Sequence, residues 1–584
     1  MSFLKNKPLK NYLPVLLIII IASVLRLLWI DKIPNAIGGD ELVYIVTAKS
    51  IFLNWTDLSG TWHPLSVFLF HYPLGEAQAE LPYFLLAPIV GPASFSLFAS
   101  RILYAILSIL TVLLIYLISK KLFSKNVAIF AGLIAAINPW SIYIGRTNYE
   151  VVPAVFFFLL SFYFLLIFKN WKILISIPFL FFAFYSYIGT KLIFLPFVLV
   201  CVLYSYFYVN KRKYLKQCLL VFILSLVLVI FFVLSIKNGL PNQRTEEIFL
   251  PNNAAISSQV DLLKKTSIQT PFVSFFNNKI NAYLGILFTK ISNALSFDYL
   301  FVNGDNFYNV GYGFFYFIDA FFLLLGLFFA LVKKKKESIL LLIFIFLGLL
   351  PQVFHLSPYG GILESFAPHL ALIFPFLIIF IGVGISETTK IIKNKKYYFA
   401  ALSVISLVYL FFTLSFLYVY FYQFPLKGNF DFHVRVMSNY AKLASQNGES
   451  VVLYSPKFRD EFKKYIFYSN SLNNQTAGKI RKIVTTPDKV IFNNIEFAGC
   501  NNTIDPSKIK KVVLYDYVCG NLPKEAKHLT IARLSDGGES YRIYNDKLCS
   551  KFGLKQFPSG ISINDFAIES LSIQKFCKTF ITSY

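Results

Sequence analysis

Charge is what this chain has least of. Only 15% of its 584 residues are Asp, Glu, Lys or Arg, and acids are the scarcer sign, 30 against 55 bases. An ordinary soluble domain carries about 25% charged residues, so a water-soluble body over the whole length is excluded. Six cysteines are present, none in a CxxC pair and none beside a pair of histidines, which sets a structural zinc site aside. No small-residue cleavage site follows the first apolar run. That run has the length of a span and is expected to be a retained anchor, not a removable signal.

Apolar and aromatic residues fill the space. The hydrophobic share is 56%, with 65 Phe and 36 Tyr. Between residues 12 and 420, apolar stretches of about 18 to 22 residues recur, each enough to cross a hydrocarbon core of about 30 Å. About eleven spans are expected, near 12–31, 97–118, 127–145, 151–168, 173–188, 192–209, 217–236, 312–332, 338–355, 368–387 and 398–421.

The formal net charge is +25, yet the bases form no single patch. They cluster between spans, at Lys5–Lys10, Lys120–Lys125, Lys169–Lys172, Lys211–Lys216, Lys333–Lys336 and Lys390–Lys396. Threading the spans in order puts every cluster on one side, which is the positive-inside pattern and places the N-terminus in the cytoplasm. Charge spread over separate loops builds no groove for nucleic acid, so that partner is excluded.

This threading defines a membrane domain over 1–424 with two long outer loops, 32–96 and 237–311, and a C-terminal segment, 425–584, outside the membrane. In the first loop, Leu42, Ile45, Val46 and Ile51 suggest a helix lying along the interface. Leu81–Val90, with two prolines, is expected to dip into the interface without crossing. From residue 425, runs such as Val451–Tyr454, Val490–Phe492 and Lys511–Tyr515 alternate with polar turns, as in a small α/β or α+β domain. Its four cysteines fit two disulfides in an oxidising compartment. Of three pairings, sequence proximity favours Cys500–Cys519 with Cys549–Cys577. Cys201 and Cys218 lie in or beside spans and read as inert apolar residues.

The acids and bases of the outer face are the candidate chemistry. Asp40 and Glu41 sit side by side just past the first span. Around them the threading gathers His63, His71, Glu76, Glu80, Arg101, Arg146, Asn148, Glu150, Tyr187, Lys191, Arg244, Asp305, His355, Tyr359, Glu364 and His369. Span ends converging on one face can build a site half in lipid and half in water. Arg, Lys and His there would hold a phosphate by charge-assisted hydrogen bonds, and a carboxylate would deprotonate a hydroxyl. Plainer roles compete. An acidic pair after Gly-Gly also suits a helix N-terminus. Arg146 and Glu150 are spaced as a helix ion pair, and Arg101 and Lys191 suit the ends of spans.

Several stretches resemble one superfamily. These are Gly39-Asp40-Glu41, Ala99-Ser100-Arg101 with Lys120-Lys121-Leu122-Phe123, Asn138-Pro139-Trp140-Ser141-Ile142-Tyr143 with Arg146 and Glu150, Tyr185-Ser186-Tyr187 with Lys191, Phe301–Asp305, and Pro368-His369. Together they resemble the polytopic glycosyltransferases of the C-type fold that use lipid-phosphate sugars. The nearest branch holds the protein O-mannosyltransferases and aminoarabinose transferases. The resemblance implies transfer of a sugar from a polyprenyl-phosphate donor at the outer face of the inner membrane, with inversion. It implies Asp40 as general base and Glu41 as a positioning acid. Donor contacts would come from Arg101, Arg146, Glu150, Tyr187, Lys191, Arg244, His355, Tyr359 and His369. The acceptor would be a protein, a lipid or an envelope glycan. No cofactor is implied, and a divalent ion at the acidic pair stays open.

One departure stands out. Many relatives carry a Lys-Pro-Pro run late in the first loop, where this chain has Glu76-Ala77-Gln78-Ala79-Glu80-Leu81-Pro82. A transporter or flippase and an inactive relative are the alternatives. Transport is disfavoured by the lack of a repeat between halves and by ionisable residues gathered at one face. The Trp-Trp-Asp motif of oligosaccharyltransferases, which share the general fold, is absent.

Overall fold

Where the chain must satisfy its own backbone in lipid, it forms helices. A computed structural model describes residues 7–60, 79–236, 254–355, 364–427, 431–485, 490–501, 509–520 and 527–583. The first half holds α1 (Lys7–Leu27), α2 (Gly39–Asn54), α3 (Leu81–Val90), α4 (Leu97–Leu122), α5 (Lys125–Ile137) and α6 (Pro139–Ile144). Next come α7 (Val151–Ile167), α8 (Ser176–Ser186), α9 (Ile188–Lys191), α10 (Phe194–Tyr204) and α11 (Leu215–Ile236). The segment after α11 carries α12 (Ala254–Thr266), α13 (Val273–Phe276) and α14 (Lys279–Ala294). The bundle then continues with α15 (Phe317–Lys333), α16 (Lys335–Phe354), α17 (Ala367–Leu370), α18 (Phe374–Ile391) and α19 (Lys395–Tyr418).

An apolar helix lies at each position where a span was expected. Among the described residues, five are long and apolar enough to cross a membrane: Leu97–Leu122, Leu215–Ser235, Lys335–Phe354, Phe374–Ile391 and Lys395–Lys427. The others are shorter or broken by caps. Asn138, for example, ends α5 and starts α6 by accepting the Ser141 N–H at 2.9 Å, with Pro139 in the first turn. At 10 residues α3 is about 15 Å long, too short to span.

The centre of the bundle is α18, and glycine sets its packing. A Cβ on Gly384 would stand 2.0 Å from the Phe322 carbonyl oxygen, and one on Gly326 would stand 1.8 Å from that of Phe380. Only bare backbones let α15 and α18 approach so closely. By contrast α11 and α19 bury 22% and 17% of their apolar windows, leaving residues such as Val227 and Phe411 to face lipid.

Between α1 and α3, where a helix along the lipid interface was expected, α2 has its apolar residues covered by protein. Leu42, Tyr44, Ile45, Val46, Ala48, Lys49 and Ile51 are all buried. One side packs against α3, and the other meets the C-terminal domain. The sequence pattern gave the helix, but burial on more than one side comes from partners distant in the chain.

The C-terminal sheet domain contains α20 (Phe432–Gln446), β1 (Val451–Tyr454), α21 (Phe458–Ser469), α22 (Ala477–Thr485), β2 (Val490–Phe492), β3 (Ile495–Ala498), β4 (Val512–Asp516), β5 (Leu529–Ala532), β6 (Glu539–Tyr544), α23 (Ile573–Phe580) and β7 (Ile581–Ser583). Among the described residues, seven strands form one sheet in the order β2-β3-β1-β4-β6-β5-β7. β1 is parallel to β3 and β4, with Val451 opposite Ile495 and Val512, and the remaining pairs are antiparallel. Both expected disulfides, Cys500–Cys519 and Cys549–Cys577, are formed. The domain sits on the end of the bundle that carries Asp40. Asn470 accepts the Phe95 N–H at 2.9 Å, and Arg481 donates to Thr56 Oγ1 at 2.6 Å.

Candidate active site

Asp40 and Glu41 share the first turn of α2 but have opposite surroundings. Asp40 is exposed, whereas Glu41 is fully buried. Glu41 Oε2 accepts the Gly38 N–H at 2.9 Å, closing the start of its own helix. Its Oε1 accepts the Asn148 N–H at 2.5 Å, tying α2 to the turn between α6 and α7. Burial pushes the Glu41 carboxyl above its ordinary range, while the Arg101 charge pulls it the other way.

The loop entering α2, which includes a cis Ile33–Pro34 peptide, is held by buried arginines. Arg101 donates to the carbonyls of Ile30, Pro34 and Ala36 at 3.3, 2.7 and 2.6 Å. Arg146 donates to Leu25 and Ile33 at 3.1 and 2.9 Å, and its guanidinium lies 5.0 Å from the Phe421 ring centre. Arg435, from α20, donates to the Asn35 carbonyl. A buried cation must find acceptors, and these three find most of theirs on seven residues of one loop. The terminal nitrogens of Arg101 and Arg146 are thus committed to backbone, and a phosphate would have to displace carbonyls to reach them.

Sequence reasoning passed over two arginines. Arg435 is indistinguishable from a surface residue until the domains meet. Arg26 carried a signal, being a charge inside an apolar run. It is fully buried and donates to Ser108 Oγ, Ser141 Oγ and the Ala135 and Ala136 carbonyls, joining α1, α4, α5 and α6.

Glu150, half-buried at the start of α7, lies within electrostatic reach of Tyr44, Tyr104 and Tyr187. Asp40 is also within reach of Tyr187. The two acids therefore both act electrostatically on one tyrosine. Asn148 stands between Arg146 and Glu150 in the same turn. Its side-chain oxygen and nitrogen are both buried and meet no hydrogen-bond partner among the described residues.

Further round, Lys191 pairs with Glu80. Nζ is 3.2 and 3.1 Å from the two carboxylate oxygens, and it sits 3.9 Å from the Phe232 ring centre. Tyr187 and His369 have ring centres 6.3 Å apart, and His369 and His355 5.2 Å. Nδ1 of each histidine is buried without a partner among the described residues. Lys290 of α14 reaches this group by donating to the carbonyls of His355 and Gln352 at 2.5 and 3.2 Å. Asp305 accepts from the Ala367 N–H at 2.6 Å, the Tyr308 N–H at 2.8 Å and the Tyr299 hydroxyl at 3.2 Å, fixing the segment that ends at His369. Glu364 is exposed. Arg244, Tyr359, His63, His71 and Glu76 lie outside the described residues.

Among the described residues, no three His, Cys, Asp or Glu side chains come together as a metal-binding group. A small cavity of about 40 Å³ lies inside the bundle beside the Asn148 turn, lined by Ile144, Val151, Val152, Trp140, Phe374 and Pro375 among others. It is apolar and is separate from the acidic cluster.

Residues 81–236 match the family described as dolichyl-phosphate-mannose-protein mannosyltransferase, the branch that the sequence motifs resemble. Among solved structures, the chain is similar to an Archaeoglobus fulgidus oligosaccharyltransferase tethered to an acceptor peptide. The identity is 14% over 80% of this chain and 64% of that one, with a TM-score of 0.46. This chain spans under two thirds of that protein's length. It is also similar to the archaeal oligosaccharyltransferase AglB of that organism in complex with an inhibitory peptide and a dolichol-phosphate (12% identity, 93% and 75% covered, TM-score 0.47). A further similarity is to ArnT from Cupriavidus metallidurans bound to undecaprenyl phosphate (10% identity, 91% and 97% covered, TM-score 0.41). Likenesses at this level carry nothing about the chemistry of this chain. No curated protein matches it.

Proposed function

We propose that this protein is a membrane glycosyltransferase that moves a sugar from a polyprenyl-phosphate donor to an acceptor hydroxyl at the outer membrane face. The family match over 81–236 supports the class of donor. The observation that carries the reading is the placement of Asp40. It is an exposed carboxylate on a helix turn whose entry loop is fixed by three buried arginines, and it lies within electrostatic reach of Tyr187, as Glu150 does. Such fixing is what holding a reacting group in place requires.

In the proposed step Asp40 takes the proton of the acceptor hydroxyl as its oxygen bonds to the anomeric carbon. The bond from that carbon to the phosphate oxygen breaks on the opposite side, so the product is inverted and polyprenyl phosphate departs with the electron pair. Phosphate is a good leaving group and needs no proton donor. It needs positive charge or hydrogen bonds as its own charge grows. Lys191, His369, His355 and Tyr187 are the donor contacts this reading favours, with Arg244 and Tyr359 as further candidates. Glu150 would orient the sugar. Arg101, Arg146 and Glu41 act behind the surface, holding the loop, the turn and the first helical turn of α2. The N-terminus and the lysine-rich loops would face the cytoplasm, and the sheet domain would face outward, beside the acceptor.

A second reading, a catalytically silent relative, draws on the Lys191–Glu80 pair, which neutralises the one lysine best placed for a donor phosphate. Membranes containing the protein, given a panel of polyprenyl-phosphate sugars and mixed acceptors, separate the two. Transfer with one donor supports the enzyme. Binding of a donor without transfer or release of polyprenyl phosphate supports the silent relative.

A further inference from the structure

Two buried side chains of the sheet domain, Arg435 and Tyr468, bond to the backbone of the catalytic loop, and Asn564 accepts from the Lys32 side chain at 2.9 Å at its exposed edge. Arg435 lies in α20, is 2% exposed, and is anchored by Glu569 through Nε to Oε1 at 2.8 Å and Nη2 to Oε2 at 2.6 Å. That bidentate pair leaves Nη1, which crosses to the loop and donates to the Asn35 carbonyl. Tyr468, at the end of α21, is 5% exposed and its hydroxyl accepts the Ile37 N–H at 3.0 Å. Its ring also lies 5.7 Å from the Arg435 guanidinium carbon. The Asn35 side chain is used as well, donating to the Pro425 carbonyl at 2.7 Å in the connection to the domain.

Asn35 and Ile37 lie five and three residues before Asp40. From the membrane side, Arg101 and Arg146 hold the carbonyls of Ile33, Pro34 and Ala36 in the same stretch. The loop is therefore gripped from both sides, and neither set alone accounts for all of its buried polar groups. A single flexible loop would leave Asp40 free to wander. A misplacement of about 1 Å at a reacting group is enough to cost about 100-fold in rate.

We infer that the sheet domain is a working part of the active site: through Arg435 and Tyr468, as positioning residues, it sets where Asp40 stands. This rests on the proposed role of Asp40, and the test separates the two. Tyr468→Phe keeps the ring and removes only the acceptor for the Ile37 N–H. Arg435→Met removes the donor to Asn35, and Arg435→Lys restores one donor. Lys511→Met, at an exposed pair with Glu496 on the sheet, is the control.

Two readouts are taken on the full chain in detergent or membranes. The first is hydrogen–deuterium exchange over the peptide covering residues 33–43. Tyr468→Phe and Arg435→Met are expected to speed exchange there by tenfold or more, with the transmembrane peptides unchanged and Lys511→Met like wild type. The second is transfer kinetics. The expected result is a kcat lowered by about 10-fold or more, an unchanged KM for the donor and partial recovery in Arg435→Lys. Unchanged exchange in both variants overturns the inference, whether or not a donor has been found. Faster exchange with wild-type kcat also overturns it. A fall in kcat accompanied by a raised donor KM and a lowered melting temperature in every variant would mean general scaffolding and likewise overturns it. Faster exchange in a protein that transfers no sugar would uphold the grip on the loop while contradicting the proposed function.

Discussion

Lys191 and Glu80 form a buried ion pair, 3.1 Å between Nζ and Oε2, with their side chains 8% and 4% exposed. The pair crosses from the start of α3 to the end of α9, and 111 residues separate the partners. Glu80 is part of the stretch in which the chain departs from its resembled relatives. The departure has therefore not left an idle acid; it has given Lys191 a local counter-charge.

That pairing makes a prediction for donor binding. If Lys191 is a donor contact, it must leave Glu80 to meet the phosphate, and the pair competes with substrate. Glu80→Gln is expected to lower the donor KM several-fold, and Lys191→Met to raise it. Lys191→Met also leaves a carboxylate buried without its cation, which costs about 3 to 5 kcal/mol. Its melting temperature should fall, whereas that of the double variant Glu80→Gln/Lys191→Met should recover. Donor titrations and thermal melts on the three variants check both halves.

Asn148 predicts a trade between stability and activity. A buried amide lacking partners costs about 1 to 3 kcal/mol, and replacing it with an apolar side chain of similar size removes that cost. Asn148→Leu is expected to raise the melting temperature and to lower kcat, because the bare amide lies in the turn that carries Glu150. A variant with unchanged stability and full activity would show that the amide serves neither purpose.

Glu461 predicts a pH dependence in the sheet domain. Ser455 has one hydroxyl proton, yet its Oγ lies 2.8 Å from both Glu461 Oε1 and Asp516 Oδ2. It can donate to only one of them at a time. Tyr541 donates to Glu461 Oε1 at 2.6 Å, and Glu461 Oε2 is buried without a partner among the described residues. Burial pushes the Glu461 carboxyl up to about 7. A carboxyl raised in the folded state binds its proton more tightly folded than unfolded. Its stabilising effect is complete below the ordinary carboxyl value of about 4.3 and is lost as pH rises through about 7. The domain should therefore melt lower at pH 8 than at pH 5. Glu461→Gln should flatten that difference and melt above wild type at pH 8. Thermal melts across the pH range read this directly.

Cys549–Cys577 closes a loop of 28 residues in sequence separation. On the chain-entropy account such a loop contributes about 3 to 4 kcal/mol. Reduction, or Cys549→Ser with Cys577→Ser, should lower the domain's melting temperature by several degrees. It should also quicken exchange at residues 33–43, since the domain grips that loop. Exchange limited to the C-terminal peptides would sever the two effects.

Several of these features were legible in the chain and others were not, for physical reasons. The apolar helices were visible because lipid allows no other pairing of their backbone, and the strand-like runs at Val451 and Val512 because a short apolar, valine-rich run between polar turns is a local signal. The two disulfides followed from proximity along the chain. Asp40 and Glu41 are indistinguishable in sequence; only the fold makes one a buried clamp and leaves the other at the surface. Arg101 and Arg146 read as phosphate contacts because a cation at a span end is all a sequence displays. That they grip carbonyls of one loop depends on where that loop turns. The Lys191–Glu80 pair and the reach of Arg435 to Asn35 join positions 111 and 400 residues apart, which no local pattern carries.

The most direct measurement is sugar transfer by wild type and Asp40→Asn from a panel of polyprenyl-phosphate sugars, with folding checked by thermal melting. The account predicts transfer from at least one donor by wild type. It predicts a loss of about 100-fold or more in kcat, the scale of a positioned base, in an Asp40→Asn protein that melts normally and binds the donor as before. Equal turnover by the two proteins would contradict it.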